Sequence, residues 1–188
     1  TDPVAEKPGA TFFKETGHNV QGAFLTFFNK YGGLEQFGFP RTEEITEDGK
    51  LVQYFQRARF EYFPQFQGTP YEVQLQLLGD VLTVPRRPFP TSQAVDSGPA
   101  VRYFPEVQHT VRDVFLNYFN EKGALERFGY PISEEMQETN NDGTGRTYTV
   151  QYFQRARLEH HPELAGSPYE IQLGLLGDQV LRERGLLK

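Results

Sequence analysis

Residues 52–64, VQYFQRARFEYFP, return almost unchanged at 150–162 as VQYFQRARLEHHP, with ten of the thirteen positions identical. A copy of that fidelity inside one chain marks a duplicated unit, so any role assigned to a residue in one copy can be tested against its partner in the other. The duplication constrains the fold more than composition does. The chain has to be built twice from one plan, joined by whatever lies between.

The plan reads as α+β. From Val20 the apolar residues Val20, Phe24, Phe27, Phe28 and Tyr31 fall on one face of a helix that Gly32 and Gly33 stop. The segment GGLEQFGFP follows as a short helical turn and then extended chain, punctuated by Gly38 and Pro40. Glu47-Asp48-Gly49 is a hairpin turn between β-rich runs, and Arg57 and Ala58 mark a second reversal. Thr69-Pro70-Tyr71-Glu72 has the form of a capping box, which predicts a helix with Tyr71, Leu75, Leu78 and Leu82 on one stripe.

The second copy repeats each signal. Val111, Phe115, Tyr118 and Phe119 form its helix, LERFGYP its turn, and Ser167-Pro168-Tyr169-Glu170 its capping box. The offset is 91 residues before the sheet and 98 within it, so an insertion falls at the hairpin tip around 140–146, where extra residues are tolerated. The expected architecture is two tandem pseudo-symmetric repeats, each a helix, a small antiparallel sheet and a capped helix. Residues 1–82 form the first lobe, 83–102 a proline-rich linker and 103–188 the second lobe, with the last helix extended over the tail from Gln179.

Charge narrows the partners. The net charge of −6 divides as −4, +2 and −4 over those three segments, which disfavours nucleic acid and anionic membrane surfaces, since both need a basic footprint. No apolar run approaches the roughly 20 residues needed to span a bilayer, so no membrane insertion is expected. The chain has no cysteine, which removes thiolate metal sites and thiol catalysis. With 17 Phe and 10 Tyr but no Trp, recognition has to use Tyr, Phe, His or Arg. The opening TDPVAEKPG lacks the basic start and apolar core of a signal peptide.

Chemistry is sparse. Glu43-Glu44 and Glu134-Glu135 are paired carboxylates, but adjacent residues point apart, which suits a charged helix start better than an acid and base for glycoside hydrolysis. His18 and His109 hold matching positions before the first helix of each copy, suited to hydrogen bonding there or to a ligand. His160-His161 does not chelate from one strand, because neighbours face opposite sides. Asn140, Asp142, Thr144 and Gly145 resemble the start of a calcium loop, but Gln151 stands where a bidentate glutamate is needed, so a hairpin tip is the expectation. No catalytic residue, metal or cofactor is expected.

The hairpin itself remains. Tyr54, Arg57, Arg59 and Tyr62, with Tyr152, Arg155, Arg157 and His160, combine planar rings and guanidinium forks of the kind that stack on sugars and grip hydroxyls. The same residues equally suit a structural role, with the aromatics buried and the arginines paired to Glu61, Glu159, Glu43 or Glu134.

GGLEQFGFP and GALERFGYP, each followed by two glutamates and a gapped Q-Y-F hairpin, resemble the LGFP-type repeats of secreted bacterial envelope proteins. The shared core is Leu34, Phe37, Gly38, Phe39 and Pro40, with Leu125, Phe128, Gly129, Tyr130 and Pro131. The chain resembles still more closely a longer repeat of exported Chloroflexi-type bacterial proteins, a likeness that covers nearly its whole length. The resemblance implies an extracellular, non-catalytic accessory module that binds cell-wall or other polysaccharide; the competing expectation is a structural or interaction module that docks or spaces a neighbouring enzyme.

Overall fold

A computed structural model describes residues 1–140 and 144–187 and is mixed α+β. Two compact units divide the chain: Thr1–Gln76 with Leu175–Lys188, and Leu77–Gly174.

In the first unit, strands β1 (Thr11–Phe13) and β2 (His18–Val20) pair as a hairpin ahead of helices α1 (Gly22–Lys30) and α2 (Gly33–Phe37). Strands β3 (Ile45–Glu47), β4 (Lys50–Tyr54), β5 (Arg59–Tyr62) and β6 (Val73–Leu75) follow as an antiparallel sheet in chain order. The β3–β4 turn is the expected Asp48-Gly49, with positive φ at both residues, 49° and 75°, as a two-residue loop matched to strand twist requires.

The second unit opens on helix α3 (Leu78–Thr83) and, after an irregular stretch, runs through β7 (Val101–Phe104), β8 (His109–Arg112), α4 (Asp113–Glu121) and α5 (Ala124–Phe128). Its sheet is β9 (Met136–Thr139), β10 (Thr147–Tyr152), β11 (Arg157–His160) and β12 (Ile171–Leu173). Helix α6 (Leu176–Glu183) then belongs to the first unit again.

The two capping boxes do not open helices. Thr69 Oγ1 does accept from Tyr71 N at 3.2 Å, and Glu72 Oε2 reaches back to Gly68 N at 2.9 Å, but the chain continues as β6. Val73 and Leu75 alternate inward around Gln74 and pair with Tyr62 and Phe60, so edge pairing and a period of two override the cap. Ser167 and Glu170 repeat these bonds ahead of β12. Tyr71, expected on a buried stripe, and Tyr169 at the matching position of the second capping box are 51% and 50% exposed. The helices begin later, at Leu78 and Leu176, and α6 runs into the expected tail as far as Glu183.

The aromatic content is spent on packing. Phe28 stacks on Phe55 at 5.4 Å, and Phe37 and Phe60 close the cluster edge to face at 4.7 Å; Phe119 stacks on Phe153 at 5.3 Å in the second unit. The FGFP segment lies along the bend after β4, where Gln56 N and Arg57 N donate to Phe39 O and Phe37 O at 3.0 and 3.1 Å. A Cβ at Gly38 would fall 2.5 Å from Gln56 Oε1, and its φ of 70° also favours glycine, which accounts for the G of the motif.

Candidate functional site

The duplicated hairpin is a socket for a helix. Along β4 the side chains alternate between two covered faces: Gln53 and Phe55 turn toward the α1–α2 side, while Val52 and Tyr54 pack with Leu181 of α6. Gln53, fully buried, donates to Asn19 O at 2.7 Å and Thr42 O at 2.8 Å, tying β2 to the segment before β3. Gln151 makes the same bonds to Thr110 O and Ser133 O at 2.7 and 2.9 Å.

The helix that fills each socket approaches to backbone contact. Asp178 N donates to Gln56 O at 3.0 Å, and a Cβ at Gly177 would sit 1.9 Å from Phe55 O. In the second unit Asp80 N donates to Gln154 O at 3.0 Å, and a Cβ at Gly79 would meet Phe153 O at 1.8 Å. Leu-Leu-Gly-Asp is thus the key and the hairpin bend the lock. In each unit the key comes from the other sequence copy.

Most of the predicted arginines and tyrosines belong to this frame. Tyr54, 2% exposed, donates to Glu47 Oε2 at 2.8 Å and receives Arg184 Nη1 at 2.6 Å; Arg59, 4% exposed, bridges Glu61 at 2.8 Å and Glu47 at 3.2 Å. Burial and the bond to Glu47 push the Tyr54 hydroxyl up to about 12, while Arg184, Tyr54 and Arg59 hold Glu47 below the usual carboxylate range against its burial. Tyr152 and Arg157 meet Glu138 in the same way, with Arg86 in the place of Arg184 and Asn140 and His161 completing the cluster around Glu159. Arg57 and Arg155 stand half-buried at the bends.

The histidines His18 and His109 are also structural neighbours, each buried beside a glutamate of the paired motif. His18 Nδ1 is 3.5 Å from Glu43 Oε1, and His109 Nδ1 is 3.0 Å from Glu134 Oε1. Those glutamates latch the strands, taking Asn19 N at 2.7 Å and Thr110 N at 2.9 Å. Burial lowers the His18 pKa despite Glu43; Glu43 and Glu134 are held low against burial, the first by Lys7 and Asn19 and the second by His109 and Thr110. Among the described residues no cluster of His, Asp and Glu is arranged to hold a metal. Asp142 of the calcium-like stretch lies outside the described residues.

Tyr62 stands apart from the frame. It lines a cleft of about 520 Å³ in the first unit with Phe24 and Leu51, and Gln21, Glu44 and Glu72 supply polar groups. That size and mixture suit a small ligand or one residue of a polymer. Gln21 Nε2 already donates to Glu44 Oε2 at 2.9 Å. A second cleft of about 310 Å³, with Thr26, Lys30 and Tyr31 in its wall, shares Ala23 and Glu72 with the first. Exposed Tyr71 and Phe66, 6.4 Å apart edge to face, stand on the loop between Tyr62 and Glu72.

His160 takes the Tyr62 position in the second copy, 3.4 Å from Glu170. The matching positions there are Arg112, Asp113 and Glu135, and burial and the Asp113 charge raise the Glu135 pKa. Asp113 adopts φ 44° where the first copy has Gly22 at 52°.

Sequence reasoning passed over Tyr71 and Tyr169, because the capping boxes placed both at a helix start and Tyr71 on its apolar stripe. The signal was present: a tyrosine kept in both copies directly after a proline, in a segment too short for a helix before the strand. No family model matches the chain, and no curated protein matches it.

Proposed function

We propose that the chain is a non-catalytic accessory module of an exported bacterial protein, acting outside the cell, and that it binds polysaccharide or other cell-envelope material. We read its two copies as tandem repeats of one pseudo-symmetric unit. The observation that carries the binding reading is the cleft of the first unit, lined by Tyr62 and Phe24 with the carboxylates and amides of Glu44, Glu72, Gln21 and Gln67, and with exposed Tyr71 next to Glu72 in the chain.

Ring faces stack on the apolar faces of sugars, and Glu44, Glu72 and Gln21 accept or donate to hydroxyls. Two abutting clefts suit a chain of sugars better than a single one. The larger cleft is lined by carboxylates without a basic side chain, so a neutral or amino sugar fits it and a uronate does not. The arginine heads of 59 and 157 are buried in ion pairs and take no part.

The test is retention on a panel of neutral, amino-sugar and uronate polysaccharides and on cell-wall material, with Tyr62→Ala and Tyr71→Ala beside the wild type. Retention on a neutral or amino-sugar polymer, lost in both variants while their circular dichroism is unchanged, is the expected result. Retention by neither wild type nor variant, or retention that ignores both tyrosines, overturns it.

One observation favours a second reading, a module that docks or spaces a neighbouring enzyme. The most faithful part of the duplication serves helix docking rather than an open surface. Co-purification with a protein domain, without any glycan retention, supports that reading.

A further inference from the structure

We propose that the socket of the first unit also accepts α6 from a second copy of this chain, so that two molecules exchange this helix and form a closed, two-fold dimer. The contacts that seat α6 within its unit are local and complete: Gly177 against Phe55 O, Asp178 N on Gln56 O, Leu181 beside Val52 and Tyr54, and Arg184 on Tyr54 and Glu47. None of them depends on which molecule supplies the helix. Covalent continuity contributes only an effective concentration, of millimolar order for a short flexible joint. A second molecule therefore competes as its own concentration approaches that range, and helix exchange is a low-cost route to a dimer.

The joint is suited to rerouting. Strand β12 ends at Leu173 and α6 begins at Leu176, so residues 174 and 175 alone link the helix to the second unit, and the crossing between units lies between them. Only this crossing has to change path.

Charge selects the socket that α6 enters. Asp178 is 1% exposed and is gripped by Arg41, whose Nε and Nη2 donate to its two oxygens at 2.7 Å each. At the matching position the second unit has Ile132, and its own Asp80 pairs instead with Arg87. Placed in that socket, Asp178 would be a buried carboxylate facing an isoleucine, so the exchange runs through the Arg41 socket.

The absence of native cysteine makes the test direct. Full-length Ile45→Cys and Val180→Cys chains, whose native side chains both pack on the Val52, Tyr54 and Leu181 cluster and which keep the Arg41–Asp178 pair, are mixed from 1 μM to 1 mM, on the order of the effective concentration of the joint, and treated with a short bis-maleimide. The expected product is a cross-linked heterodimer that grows with concentration to about tenfold above a control pairing Val180→Cys with Glu35→Cys at an exposed position. The double variant Ile45→Cys/Val180→Cys cross-links within one molecule at 1 μM. Should either variant fail to fold, Tyr54→Cys with Arg184→Cys reports on the other end of the helix. Heterodimer that never exceeds the control, while the double variant closes on itself, overturns the exchange; failure of both pairs to close within one molecule overturns the socket.

Discussion

The first and second units keep the same hairpin and differ at its rim. Both hold a buried glutamine between two carbonyls, a tyrosine on a glutamate, and a Gly-Asp helix start against the bend. At the rim, Tyr62 with Gln21 and Gly22 in one copy becomes His160 with Arg112 and Asp113 in the other. The contrast separates two pressures on a duplicated sequence. Positions that seat a helix to backbone contact cannot drift, because a single methyl group collides with a carbonyl, whereas rim positions are free to take up different charge and shape. Identity between the copies therefore marks the frame, and the proposed binding has to be sought where the copies diverge or where both leave an aromatic exposed.

The largest effects should strike the shared frame equally. Gly177→Val and Gly79→Val each place a side chain on a backbone oxygen, and each should lose about 3–4 kcal/mol as the helix lifts from its socket. Denaturant unfolding of the two variants checks this, and a large effect in one copy only would break the equivalence. The aspartates should separate the units. Asp178→Ala strips a buried partner from Arg41 and should cost about 2–4 kcal/mol, whereas Asp80→Ala, at a more exposed pair, should cost under about 1 kcal/mol.

Acid should sharpen the contrast. The folded His18 takes up a proton less readily than its ordinary value of 6.5 implies, so its contribution is whole above that pH and falls as pH drops through it. Glu43 and Glu134, held below 4.5, contribute above that value and are lost as pH falls further, while raised Glu135 shifts the second unit the opposite way. Hydrogen exchange between pH 7 and 5 should show β2 of the first unit loosening first, and His18→Gln should flatten that response. The smallest stability change is expected at the exposed tyrosines: Tyr71→Ala and Tyr169→Ala should shift unfolding by less than about 0.5 kcal/mol.

Much of this frame was legible in the sequence. The periodicity of Phe24, Phe28 and their partners gave both central helices, Asp48-Gly49 gave its turn, and Glu61 and Glu159 were recognisable as partners of Arg59 and Arg157. The hairpins β1–β2 and β7–β8 were not, since three- and four-residue strands are too short for an alternating pattern. The capping boxes misled because a local cap cannot reveal a partner strand distant in sequence. The seating of each Leu-Leu-Gly-Asp helix on the other copy's hairpin was hidden for the same reason: Arg41 and Asp178 are 137 positions apart, and nothing local in the motif says which copy it will serve. The Tyr62 cleft was half visible, its tyrosine being singled out while Gln21, Glu44 and Glu72 converge on it only in the fold.

The central claim is that the duplicated hairpin is internal scaffold and the rim is the binding surface. Amide chemical-shift mapping of the full chain, titrated with the neutral or amino-sugar oligosaccharide matching the best-retained polymer, tests it most directly. The account predicts shifts centred on Gln21, Glu44, Tyr62 and Tyr71, with 57–59 and 155–157 quiet. Shifts centred on those two arginine bends, or none with any sugar of the panel, would contradict it.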